Sequence, residues 1–229
     1  MIEGLRQSEA GITPILRRHQ FNSLLAAVGL LGPLAFTALV AAQGSRHPDY
    51  SHVALPISAL AASPDGWLQN VAFVVLGVGM AALATGLHFE IRPRRGGVSG
   101  PVLLGLSAAG LLLAALFPWR GSGDAFVVPP GHIVGAFLSF LGAGVGLCAL
   151  GVRLAADRRW QGLATFNMVS GLAIVTLFLA SFAMTRLPDT PFYAYVGIVQ
   201  RAGVLAWFAC IIVLAIRLLR LSARAPPDL

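Results

Sequence analysis

Long apolar runs alternate with short polar connections along this chain, and six of the runs reach the roughly 20 residues that a helix needs to cross a bilayer. They predict spans over 21–43, 67–88, 98–117, 132–153, 160–184 and 192–219. The expected fold class is therefore all-α, a polytopic membrane bundle of six transmembrane helices forming one domain over 21–220. A polar leader, 1–20, precedes it and a short tail, 221–229, follows. The first run follows basic residues and ends near small ones, as a signal peptide does. It is too long for that reading, because a signal core spans about 7–15 residues, and five further spans follow it.

Several positions inside this pattern carry local expectations. Gly32-Pro33 falls in the middle of the first run and predicts a kink, because proline removes a backbone donor and crowds the preceding turn. The longest connection, 44–66, is polar in its first half. Its second half, 53–62, is apolar but too short to span, so it should lie at the interface or dip back into the bundle. Ser63-Pro64-Asp65-Gly66 is a turn signal that could also cap the second helix. In the fourth run, Gly142-Ala143-Gly144-Val145-Gly146 allows close helix contact. The last run holds the sharpest anomaly, a permanently charged Arg201 roughly 13 Å from its start. An arginine at that depth needs a partner in a polar pocket. The candidate carboxylates are Asp49, Asp65, Asp124 and Asp189, with Asp124 and Asp49 first.

Composition fits the same class: 57% of the 229 residues are hydrophobic and only 11% are charged. The net charge of +7 comes entirely from arginine, since the sequence has sixteen basic residues and no Lys. These arginines sit in short clusters between apolar runs, which argues against nucleic acid as a partner and instead sets membrane orientation. Twelve of them (6, 17, 18, 92, 94, 95, 153, 158, 159, 217, 220 and 224) fall on the side of the termini, against Arg46, Arg120 and Arg186 on the other. The positive-inside rule then predicts both termini in the cytoplasm and the protein in a bacterial cytoplasmic (inner) membrane. Cys148 and Cys210 lie in apolar runs and form no redox or metal motif. No internal repeat relates the first three spans to the last three, which weakens a transporter reading.

On the predicted outer face, polar groups collect near the span ends. Ser58, His52, Asp49, Asp124 and His132 should converge with Gln200 and Arg201 into an outward-facing pocket. His47, His52 and His132, with a carboxylate nearby, also have the residue types of a metal site. Their spacing on a proline-containing loop fixes no geometry, and no cofactor is implied. Neither Ser51 nor Ser58 stands in a nucleophile-elbow pattern. His88 reads as an interfacial residue.

The blocks His47-Pro-Asp-Tyr-Ser-His-Val-Ala-Leu-Pro-Ile-Ser-Ala-Leu60, Leu116-Phe-Pro118 with Asp124 and His132, and Gly197-Ile-Val-Gln-Arg201 resemble the signatures of a prokaryotic membrane family, domain of unknown function 998. The likeness covers nearly the whole chain. It implies a six-helix integral membrane protein, assigns no activity, and places Ser58, Asp124, His132, Gln200 and Arg201 in the shared pattern. Three functions compete. In the first, the pocket binds a lipid headgroup or small anionic ligand, with Arg201 as charge anchor and His132 as hydrogen-bond donor. In the second, the outer groups form a metal-assisted lipid hydrolase with Asp124 or Asp49 as base. In the third, the chain is an accessory subunit whose polar groups hold the bundle together.

Overall fold

The computed structural model describes residues 2–91, 97–121 and 126–223, with side chains from residue 17 onward. Six long helices account for the six apolar runs: α1 (Ile2–Arg46), α2 (Trp67–Glu90), α3 (Ser99–Leu116), α4 (Pro130–Ala155), α5 (Ala164–Met184) and α6 (Val196–Ser222). Short 3-10 segments, Gln161–Leu163 and Pro191–Tyr195, lead into α5 and α6. Among the described residues there is no strand, only one isolated bridge between Arg120 and Val127. Each of the six helices has the length and apolarity to cross a membrane.

The outward faces support the same conclusion. Leu31, Leu172 and Leu205 are 60%, 65% and 67% exposed, and they belong to an apolar belt far larger than water-soluble monomers tolerate. With every backbone amide of a helix interior bonded within the helix, this is the form that lipid allows. The chain is a multipass membrane protein.

The helix that contains the first span begins at residue 2 and continues through Gly32-Pro33, where the Thr37 hydroxyl donates to the Pro33 carbonyl at 2.8 Å. Gly32 also serves packing: a Cβ on Gly79 of α2 would lie 3.0 Å from the Gly32 Cα. The glycines of α4 act as predicted, on two faces. A Cβ on Gly142 would meet the Leu103 carbonyl of α3 at 2.9 Å, and one on Gly144 the Gly171 carbonyl of α5 at 2.7 Å.

Successive helices pack side by side, and α6 closes the ring against α1. Aromatic side chains fill its centre, with Phe140 stacked on Phe178 at 4.5 Å and Phe36 edge-on to Phe208 at 5.5 Å. Contacts of this kind add about 0.5–1.5 kcal/mol each beyond the area they bury.

The two ends of the bundle are built differently. At the end bearing the termini, Arg159 bridges Glu90 at 2.6 Å and Asp157 at 2.9 Å. Asn22 of α1 donates to Glu90 at 3.0 Å, and the buried Arg153 donates to the backbone carbonyls of His88 and Ile91. These bonds tie α1, α2, α4 and the α4–α5 connection together. The opposite end, here the loop end, carries the candidate site.

Candidate functional site

The loop end is organised by the first turns of α6, where Gly197, Gln200 and Arg201 share one face at helical spacing. All three hold the connection between α1 and α2. Gly197 is the contact point: a Cβ there would meet the Leu55 carbonyl at 2.4 Å and those of His52 and Val53 at 2.8 Å. With the backbones this close, the Ile198 amide donates to the Val53 carbonyl at 2.9 Å. The Gln200 side-chain oxygen accepts from the Ile57 amide at 2.8 Å, which turns its NH2 group away from the loop backbone. Arg201 closes the clasp. Its guanidinium donates to the carbonyls of His52 at 2.6 Å, Leu55 at 2.9 Å and Gly197 at 3.1 Å, to the Tyr50 hydroxyl, and to His52 Nδ1 at 3.3 Å.

Docked this way, the apolar half of the connection does dip into the bundle. Ile57–Ala62 forms a 3-10 helix in which Ile57, Ala59, Leu60 and Ala61 are buried. Because arginine only donates, His52 Nδ1 receives that bond unprotonated. Consistently, partial desolvation and then the Arg201 charge hold His52 below its ordinary pKa. Burial pushes the Tyr50 phenol up, with Arg201 opposing, and the Tyr50 hydroxyl donates onward to the Pro56 carbonyl at 3.1 Å.

A second knot fixes the far end of the same connection. Gln43, fully buried at the end of α1, donates to the Leu60 carbonyl and the Ser63 hydroxyl, both at 3.0 Å, and to the Asp65 carbonyl at 3.1 Å. The Asp65 carboxylate meets His47 at 2.5 Å and Arg46 at 3.3 Å and accepts from Ser63 at 2.9 Å. The His47 hydrogen bond, helped by those from Ser63 and Gln43, lowers the Asp65 pKa to about 2. Ser63-Pro64-Asp65-Gly66 is a turn as predicted, but it does not cap α2 through a side chain: α2 begins after Gly66 without such a bond, and Asp65 faces the knot instead.

Beside the clasp lies a cavity of about 500 Å³, bounded by α4, α5, α6, the re-entrant segment and the side chains of Trp119, Phe126 and Val128. Its inner wall is aromatic, with Phe137 edge-on to Phe178 and Phe182 at 5.0 and 4.9 Å. Polar groups are sparse: Ser58, Gln200, His132 and Ser181 within, and Thr185, Arg186 and Tyr193 toward the loops. Arg186 is exposed and lies 5.0 Å over the Phe182 ring. His132, 3% exposed in the first turn of α4, is oriented by α3. Its Nδ1 lies 3.0 Å from the Phe117 carbonyl and 3.2 Å from that of Ala114, and carbonyls only accept, so Nδ1 carries the proton. Nε2 is then the ring nitrogen left for other partners.

The predicted set therefore separates into distinct places. Ser58, His132 and Gln200 line one cavity, whereas Arg201 and His52 belong to the clasp behind its wall. Asp49 is exposed on the loop with no hydrogen bond to Arg201, and Asp124 lies outside the described residues. Among the described residues Arg201 meets no carboxylate, Asp49 included, and loop carbonyls with Tyr50 receive its donors. Nor do His47, His52 and His132 converge: His47 is engaged by Asp65 and His132 by α3, and no three metal-ligating side chains among the described residues are grouped to hold an ion.

The family model for a protein of unknown function, DUF998, matches residues 30–217. The chain belongs to the DUF998 family. No curated protein and no solved structure matches it.

In this DUF998 member the segment 47–60 docks on Gly197–Arg201, and His132, held by the Phe117 carbonyl, lines the neighbouring cavity. Three contributors escaped sequence reasoning. Tyr50 sits inside a noted block, but its role depends on Arg201 reaching back 151 positions. Gln43 offered a detectable sign, a polar amide closing an apolar run. Arg186 was visible as an outer arginine, though not as a cavity residue.

Proposed function

We propose that this protein binds an amphipathic molecule in the loop-end cavity, its apolar part against the aromatic wall and an anionic headgroup at Arg186. The observation that carries this reading is the cavity itself. Its volume of about 500 Å³ falls in the range that encloses a single small ligand, and it pairs an apolar interior with a few polar groups that fix orientation. An exposed guanidinium at the rim suits a phosphate or carboxylate. Arg201 is spent on the loop, so the anchoring role passes from Arg201 to Arg186. Gln200, with its oxygen occupied by Ile57, retains amide donors, and His132 retains an acceptor. His132 then receives a hydrogen bond instead of donating one. Asp49, exposed on the loop near the clasp, is not part of the anchor.

The loop end faces the outside of a bacterial cytoplasmic membrane in this reading, with both termini in the cytoplasm. Support comes from twelve arginines on the terminal side against three on the other. A reporter fused at the C-terminus is expected to be active only inside the cell, and activity only outside would reverse the sidedness.

Native mass spectrometry of the protein released from membranes tests the binding directly. A bound amphiphile is expected, with occupancy reduced about tenfold by Arg186→Ala and by the cavity-filling Phe137→Trp. Wild-type protein carrying no such mass, or equal occupancy in both variants, would defeat the proposal.

A further inference from the structure

Below the binding cavity, toward the centre of the bundle, lies a second void of about 30 Å³. Its walls are apolar, formed by Phe36, Leu76, Leu111, Val204 and Phe208 among others. The two spaces share Ser58 and Gln200, so these residues form the partition between them. Gln200 is held in that place by the Ile57 amide at 2.8 Å. Apart from Ser58 and Gln200 at the partition its walls offer no polar group to hold water, so apolar matter fills it favourably.

Resting on the binding reading above, we infer that the ligand is a single-chain anionic amphiphile whose chain end passes Ser58 and Gln200 into this void, which gauges chain length. The linings give the dimension. From Val196 at the upper cavity to Phe208 at the void, α6 advances roughly 18 Å, so the chain end sits near the middle of a hydrocarbon layer about 30 Å thick. A cavity of about 500 Å³ suits a single chain. A chain that stops at the partition leaves the void empty, and one that overruns it meets the packed aromatic centre. Affinity should therefore peak at one length and fall by about fourfold for each methylene kept out of apolar surroundings.

The experiment is a binding series with the full-length protein in nanodiscs, using lysophosphatidylglycerols and fatty acids of increasing chain length. Wild-type protein is expected to show a maximum at one length for both headgroups. Val204→Leu, which fills the void, should move the maximum to shorter chains, and Leu111→Ala, which enlarges it, to longer ones. Melting curves confirm that each variant is folded, and the opposite directions separate a gauge from general loss of fit. A maximum that stays in place in both folded variants would overturn the gauge while leaving the binding reading intact. Absence of binding by any amphiphile in the series would overturn both, and binding by only one headgroup class identifies the source of the ligand.

Discussion

Arg201 shows how a charge placed well inside an apolar run is met by backbone dipoles, with no carboxylate partner among the described residues. Each carbonyl it receives is a partial negative dipole, and three of them with a phenol satisfy the fork of the guanidinium. Removing the donors takes a charged partner from the His52 and Leu55 carbonyls and from the Tyr50 hydroxyl, so Arg201→Leu should cost on the order of 3 kcal/mol. Arg201→Lys should cost less, since it retains a charge but loses the planar fork; thermal unfolding in detergent checks both, and an Arg201→Leu protein as stable as wild type would remove the clasp. Asp65 makes the second residue-level prediction. Its carboxyl is depressed to about 2 from an ordinary 3.8, so the stability it contributes is fully present above pH 3.8 and is lost as pH falls through about 2. Its side chain is partly exposed, so the effect is modest, and Asp65→Asn should flatten that acid limb of the melting-temperature profile. An unchanged limb would contradict the assignment. That Arg201 needs a polar partner was legible from its depth alone. The identity of the partner was not, because every residue has a carbonyl and only the folded loop says which ones turn toward α6.

At the scale of elements, the spans were legible because length and apolarity decide them, and each predicted span falls within or close to an observed helix. The re-entrant segment was legible for the same reason in reverse: ten apolar residues cannot cross a bilayer, yet gain by burial. The first span was read straight through Pro33, and α1 continues through it. The docking of the re-entrant segment depends on Gly197 more than on any side chain. Gly197→Ala places a methyl group 2.4 Å from the Leu55 carbonyl, and backbone on both sides must move. The expected cost is about 1–3 kcal/mol, with faster labelling of a cysteine introduced at Leu55 as the segment loosens. Labelling at the wild-type rate would show that the close approach is not needed. The terminal-end cluster of Glu90, Asp157 and Arg159 was invisible in sequence, where its members read only as part of the polar and basic connections that set sidedness.

Taken whole, the molecule is a ring of six helices with an aromatic centre, an ionic network at one end and a cavity of about 500 Å³ at the other. Of the outer polar residues singled out in the sequence, Ser58, His132 and Gln200 line that cavity, while Arg201 holds the loop beside it. The difference has a simple origin. Depth along a helix can be counted from sequence, but the direction in which a side chain leaves the ring depends on a loop that folds back over it. A density map of the protein in lipid nanodiscs made from its native membrane tests this account most directly. The account predicts elongated density between Phe137 and Phe178 ending in a headgroup beside Arg186, with Arg201 turned to the 50–55 backbone. A cavity holding only discrete water, or Arg201 turned into it toward a ligand, would contradict it.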